Sequence, residues 1–381
     1  MRKLLLVIVL IASYFLVACS TNPNAIEPNP LPDYDADYKV KKVWSRKAGK
    51  GIKKRFISLR PAVSEGGVYV ADLNGKVTAY SADKGKRLWR HNTQDNVTGG
   101  LYAGYGVVIY GTREGEAVAL SEEDGSELWR QQLSSEILAP PAANASMAVF
   151  QVQDDQVYAL DIDSGEQLWQ FEDQAPTLIL RGSAIPVIAG DHVYAAFANG
   201  KVVALDERTG SPLWERRVAE PQGRSELERL VDINNNLIVE GGGVFASSYQ
   251  GSVSVLDAES GQTYWRKDMS TFDVMDSHLG VLYVADSKGN VWAIDQRSGD
   301  SLWRQDLLYG RNLTGVAIQD GQVVVGDKKG YLHWIDGDSG HITARRRHHR
   351  KGFASAPVST GDMLYVYGRK GRLSAYRLIP R

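Results

Sequence analysis

One cysteine, Cys19, stands in 381 residues, so no intrachain disulfide can form and the fold must hold by burial alone. A zinc site built on several thiolates is excluded for the same reason, and the seven histidines (His91, His192, His278, His333, His341, His348 and His349) fall in no spaced metal motif. Charge of either sign is not in excess: 44 Lys and Arg stand against 45 Asp and Glu, which removes any global bias toward nucleic acid. The chain has no Gly-x-Ser-x-Gly nucleophile elbow and no phosphate-cradling glycine loop, and Gly104, Gly106 and Gly111 miss the dinucleotide spacing. Asp33, Asp35 and Asp37 alternate like a calcium loop, but Tyr38 stands where that loop needs Gly and Trp44 where it needs Glu. Apart from the N-terminus, the sequence contains no long apolar run.

At that N-terminus, Met-Arg-Lys precedes Leu4 to Ala18, which carry no charge. A run this short behind two cations reads as a secretory signal, because a spanning helix needs about 20 apolar residues. It ends Leu16-Val17-Ala18-Cys19, which resembles the bacterial lipoprotein signal, in which cleavage before the cysteine is followed by its acylation. By that resemblance Cys19 is the lipidation site, palmitate-labelled, and Ser20 directs the protein to the outer membrane. Residues 19–40, with prolines at 23, 28, 30 and 32, read as a flexible polar tether between the lipid and a folded domain spanning 41–381.

The remainder repeats about every 40 residues. The unit is a glycine, a short alternating strand, an Asp-x-x-Ser/Thr-Gly turn and a tryptophan. It appears as Gly75 to Tyr80, Gly85 and Trp89, and again at Trp129, Trp169, Trp214, Trp265 and Trp303. In the seventh copy Ala344 occupies the tryptophan position, and the eighth ends at Tyr376 without a turn or tryptophan strand. The Asp can accept hydrogen bonds from the turn backbone, and its Gly takes the left-handed position. The Trp is sized to pack between sheets, and an Ala, the penultimate strand residue in six copies, suits close sheet approach. Such a period of short strands predicts a β-propeller. Trp44 lacks a strand-turn unit before it. The economical arrangement is an all-β, eight-bladed β-propeller of four-stranded antiparallel blades, with the residues around Val43–Arg46 as the outer strand of the last blade, so that the N-terminal strand closes the ring.

The Ala-Leu-Asp-x-x-Ser/Thr-Gly-x-x-x-Trp unit resembles the PQQ-like repeat of pyrroloquinoline-quinone dehydrogenases and their non-enzymatic relatives. With the lipoprotein signal, the whole chain resembles the BamB family, the propeller lipoproteins of the machinery that folds β-barrel proteins into the outer membrane. That resemblance implies a non-catalytic scaffold without cofactor on the periplasmic face of the outer membrane. Its partner would be the barrel subunit of the assembly complex, through its periplasmic domains, and its clients unfolded outer-membrane proteins. Leu178-Ile179-Leu180-Arg181-Gly182 and Ser225 to Asp232 match loops the family uses to hold the barrel subunit. The carried-over contacts are Leu178, Leu180, Arg181 and Asp232. Asn234 stands where the family often has a second acid, which keeps hydrogen bonding and loses a charge.

Connection lengths point to the same surface independently. From each tryptophan to the next hairpin the chain takes 24 to 27 residues after Trp89, Trp129, Trp265 and Trp303, but 31 after Trp169 and 37 after Trp214. The two longest connections belong to neighbouring blades, and insertions on one face of a repeat protein often form its binding face. Plain loop growth is the competing reading. Two further alternatives are a quinoprotein dehydrogenase, which normally needs large insertions and often a vicinal cysteine pair, and a periplasmic sensor or scaffold with another partner. Two basic stretches, 39–60 and 345–351, are either solvated surface or an electropositive patch for anionic lipid or an acidic partner.

Overall fold

The structure, a computed structural model, describes residues 26–52, 59–173, 184–219, 233, 236–249, 251–271 and 273–381. Eight four-stranded antiparallel sheets form a propeller. In seven of them the strands follow chain order from the axis outward, as in blade one: Ala62–Val63, Val68–Ala71, Lys76–Tyr80 and Arg87–Asn92. Blade eight is assembled from both ends of the chain. Val358–Thr360, Met363–Gly368 and Arg372–Pro380 supply three strands, and Tyr38–Lys47 pairs antiparallel with the last of these, from Tyr38 opposite Pro380 to Lys47 opposite Arg372. The N-terminal strand therefore closes the ring, and it begins at Tyr38.

Central strands such as Val77 to Tyr80 are buried on both faces because each blade is sandwiched between two others. The tryptophans set the spacing of that sandwich. Each indole N–H donates to a backbone carbonyl in the turn of the next blade: Trp44 to Ala82, Trp89 to Glu122, Trp129 to Ile162, Trp169 to Glu207, Trp214 to Ala258, Trp265 to Gln296 and Trp303 to Gly337, all at 2.7–2.8 Å. The ring lies on that turn's glycine. At Gly165, with φ +73°, an added Cβ would stand 2.7 Å from the Trp129 ring, so both the left-handed backbone and the close approach require glycine. The turn is fastened by its Asp: Asp161 Oδ1 accepts from Ser164 N and Oγ, both at 2.8 Å, and Asp206 and Asp257 hold Thr209 and Ser260 in the same way. The same Asp161 oxygen also accepts from Asp163 N, two residues on, at 3.1 Å, as Asp295 does from Arg297 N at 2.9 Å. On the neighbouring strand the tryptophan faces a small residue, as in Ala79 opposite Trp89 and Ala159 opposite Trp169.

Blade seven reverses this pair: Trp334 faces Ala344. The reason lies in ring closure. The last two strands of blade eight come from opposite chain termini, so no turn joins them and no glycine is there to receive an indole from position 344. Trp334 instead fills the gap from the third strand, fully buried among Leu364, Tyr376, Leu378 and Val40. Its N–H donates to Gln319 Oε1 at 2.8 Å, and Gln319 Nε2 donates across to Asp362 O at 2.7 Å.

Residues 26–37 have no regular secondary structure and are held along blades six and seven. Asn29 N donates to Tyr309 O, and Asn29 O accepts from Arg311 Nη1 at 2.9 Å. Arg345 donates to Pro32 O at 2.8 Å and lies 4.6 Å over the Tyr34 ring. Both arginines belong to one buried network. Arg311 pairs with Asp327 at 2.6 Å, Asp327 accepts from His333 Nε2 at 3.2 Å, and His333 Nδ1 accepts from Arg345. Burial holds the His333 pKa below its usual value, so the ring stays neutral, which suits its bond from Arg345.

Two outcomes follow. Rebuilding the repeat consensus in blade seven, as Trp334→Ala with Ala344→Trp, should destabilise the protein by about 3 kcal/mol or more in urea denaturation, since it empties a buried site and supplies an indole with no receiving turn. Equal or higher stability of the double variant would refute that explanation. The turn aspartates predict an acid limb. Hydrogen bonds from Ser164, Thr209 and Ser260 hold Asp161, Asp206 and Asp257 below the usual carboxylate range. A depressed folded pKa contributes stability that is present above about pH 4, the unfolded value, and is lost as pH falls through the folded one. Asp206→Asn with Asp257→Asn should therefore lower stability at neutral pH and flatten its decline below the unfolded value; an unchanged acid slope would count against this.

Candidate functional site: the connection face of blades four and five

Strands alternate in direction, so the ring has two unlike faces. One carries the first-to-second and third-to-fourth strand turns of every blade. The other carries the second-to-third turns and the connections from each blade's outer strand to the next blade's inner strand. The two lengthened connections belong to this second face, where the repeat can grow without disturbing the glycine–tryptophan contacts.

Leu178, Leu180, Arg181, Asp232 and Asn234 lie outside the described residues, as do Cys19 and Lys53, Lys54 and Arg55 of the first basic stretch. The described stems of the two connections are close neighbours. Ile185, entering blade four, forms a parallel bridge with Asn236, entering blade five. Ala184, Val218, Ile233 and Leu237, from the flanks of both connections, are buried in one cluster with Tyr194 and Val244. Asn236 continues the chain of contacts into blade six: its Nδ2 donates to Met275 O at 3.2 Å and its Oδ1 accepts from Met275 N at 3.1 Å. At the outer end, Asp173 accepts from Asn199 Nδ2 and Lys201 Nζ, both at 2.8 Å, which ties the start of the first connection to the adjoining turn of blade four. The described stems of both connections thus pack into one base.

Charges also lie beside the innermost strands, among them Arg60, the last cation of the first basic stretch, which is largely buried rather than part of an exposed patch. Arg60 enters blade one, and Asp273 and Asp276 enter blade six. Burial lowers the Arg60 pKa and raises those of the two aspartates, while attraction across the axis opposes each shift. Asp276 also fixes backbone, with Oδ1 accepting from Ser277 N at 2.9 Å and Oδ2 from Ile318 N at 3.0 Å. Nothing in the repeat pattern marks these residues, since the innermost strands are only two or three residues long in most blades. Among the described residues no group of three or more His, Cys, Asp or Glu is placed to hold a metal ion. No described helix is long and apolar enough to cross a membrane.

Known proteins share this architecture. The profile of the family described as outer membrane protein assembly factor BamB matches residues 40–100, 73–305 and 287–378. The outer membrane protein assembly factor BamB of Pseudomonas aeruginosa is 45% identical over 364 residues, 95% of this chain and 96% of that one. The crystal structure of BamB from Moraxella catarrhalis matches with a TM-score of 0.81 at 26% identity, over 89% of this chain and 100% of that chain. A quinohemoprotein alcohol dehydrogenase from Comamonas testosteroni, 14% identical with a TM-score of 0.71 over 89% of this chain and 76% of that one, shares the fold alone.

Proposed function

The chain belongs to the BamB family of outer membrane protein assembly factors, and from that membership we propose that its connection face docks on the periplasmic domains of the barrel subunit of the assembly complex. It is a non-enzymatic scaffold of outer-membrane protein assembly, as its relatives' common name as assembly factors indicates. In the proposed arrangement Cys19 carries the lipid, and the acyl chains hold the ring at the periplasmic face of the outer membrane. Leu178 and Leu180 supply apolar anchors, Arg181 a planar charged donor, and Asp232 and Asn234 acceptors from the neighbouring connection.

The observation that carries this reading is the bridge from Ile185 to Asn236, which brings the bases of the two longest connections together. A shared base at their stems reduces the cost of bringing the two connections to one partner. Unfolded outer-membrane proteins are the clients of the complex. Strand addition to this ring is disfavoured at its closing strand, because Tyr38–Lys47 is an outer strand carrying exposed Lys39, Lys41, Lys42 and Lys47, which protect an edge from pairing. Help to the clients then comes through positioning of the barrel subunit.

Arg181→Ala should weaken binding to the purified periplasmic domains at least roughly tenfold in titration calorimetry, with circular dichroism unchanged. Asn234→Ala should cost less, because no charge is lost. Wild-type affinity in the Arg181 variant, or a loss that tracks unfolding, contradicts the docking assignment. Separately, Cys19→Ala should abolish palmitate labelling in cells, and labelling that survives rules Cys19 out as the anchor.

A further inference from the structure

We propose that the connection face of blades seven and eight is a second, lipid-facing surface that binds anionic membrane headgroups beside the anchor. The choice of a membrane as the partner rests on the reading of Cys19 as the lipidated residue; the surface itself is built from described residues.

Four short segments meet on this part of the face: 48–52, which leads from the closing strand toward blade one; the 327–330 turn; the 348–352 connection; and the 368–371 turn. Backbone bonds stitch them together. His348 N donates to Gly330 O, Arg369 N to Gly352 O, and Ala48 N to Gly371 O. Their side chains include six exposed cations, Lys50, Lys328, Lys329, Arg350, Lys351 and Lys370. None of the six forms an ion pair with another described residue. The one acid in these segments, Asp327, is buried and occupied by Arg311 and His333.

The charge is local. On the opposite face of the same two blades the turns 319–322, 336–341 and 360–363 contain Asp320, Asp336, Asp338 and Asp362 and no Lys or Arg. On the connection face of blades one and two, the second-to-third turns carry Asp72 and Glu114 with Arg113 as the only cation. Such a division across one molecule orients it toward a negatively charged plane.

The tether fixes what that plane is. The Arg311–Asp327–His333–Arg345 network holds Asn29 and Pro32 against blade seven. From there the chain runs back to Ile26, whose side chain lies against Gly310, with Glu27 and Pro28 over the same glycine and Lys328 N donating to Arg311 O beside it. Seven residues, 19–25, then separate Ile26 from the bilayer, a reach of at most about 25 Å. The cationic segments therefore sit at the end of the ring from which the anchor leaves, close enough for near-surface lysines each to contribute roughly fivefold to membrane association. Anionic headgroups fit better than an acidic protein because the six exposed cations form no ion pair among the described residues, and because the membrane is already within reach.

The test uses the mature chain with Cys19→Ser, which has no acyl group, in co-sedimentation with vesicles of phosphatidylcholine alone or mixed with an equal share of phosphatidylglycerol. The expected result is binding to the mixed vesicles only, lost on raising salt to about 0.5 M because the contacts are exposed. Lys328→Glu with Lys329→Glu, Lys351→Glu and Lys370→Glu should weaken that binding at least roughly tenfold. Lys86→Glu with Arg87→Glu, on the opposite face of blade one, should leave it unchanged, with melting curves confirming that all variants fold. No preference for anionic vesicles, or equal loss in both variants, overturns the proposal. So does loss of barrel-subunit binding in the four-site variant when the wild type ignores vesicles, which would make the patch a protein-docking surface. The vesicle result is independent of palmitate labelling and of Arg181, so the failure of either proposal is distinguishable from the other.

Discussion

The contact between an indole and a left-handed glycine in the next blade governs the rest of this molecule. It occurs at seven of the eight blade junctions, each time with the same N–H to carbonyl bond of 2.7–2.8 Å. A ring needs every junction to turn through nearly the same angle, because an error at one blade accumulates around the circle. A rigid aromatic plate seated on a residue with no side chain fixes that angle with little freedom on either side. In blades three to seven the Asp-x-x-Ser/Thr turn beneath it holds the glycine in place, and in blades one and two Ser81 and Ser121 stand at the Asp position. With the angle fixed, connections of any length can be carried on one face without altering the ring, and function can reside there.

Ring closure accounts for the departures from the repeat. A chain that closed with its own last strand would leave its N-terminus free. Here the termini share blade eight, so the N-terminal segment is built into the sheet it leaves. The junction that cannot use the indole contact uses Trp334 and Gln319 instead, and the arginine network on blade seven grips the tether before it departs. Ring closure and the path of residues 26–37 along blade seven are thus consequences of one splice point.

Much of this was legible in the sequence because each blade solves the same packing problem with the same residues. Trp, its small partner, the turn Asp and the turn Gly recur at fixed spacing, so the architecture and the need for Trp44 in the last blade could be read directly. The reversal at Trp334 and Ala344 showed only as a missing tryptophan, since its cause is a turn absent from another blade. The exposed residues before each tryptophan, such as Leu88, Leu128 and Leu168, look like core positions by hydropathy. They fall at the bulge of the outer strand, where the register shifts and the side chain turns to solvent. The hold of Arg345 on Pro32 and Tyr34 joins residues more than 300 apart, and no local pattern announces it. Arg60, Asp273 and Asp276 meet only because blades one and six face the same axis. The proposed docking residues rest on family resemblance and on connection length; they lie outside the described residues, and the structure adds only the shared base at Ile185 and Asn236.

The central claim is that a ring of fixed geometry presents its partner with one face, at blades four and five. Hydrogen exchange of the chain, alone and with the periplasmic domains of the barrel subunit, tests it most directly. Added protection is expected in the peptides carrying 174–183 and 220–235 and in their stems at Ala184–Ile185 and Asn236–Leu237, with the Asp-turn face unchanged. Protection confined to the turns at 161–165, 206–210 and 257–261 would place the partner on the opposite face and contradict it.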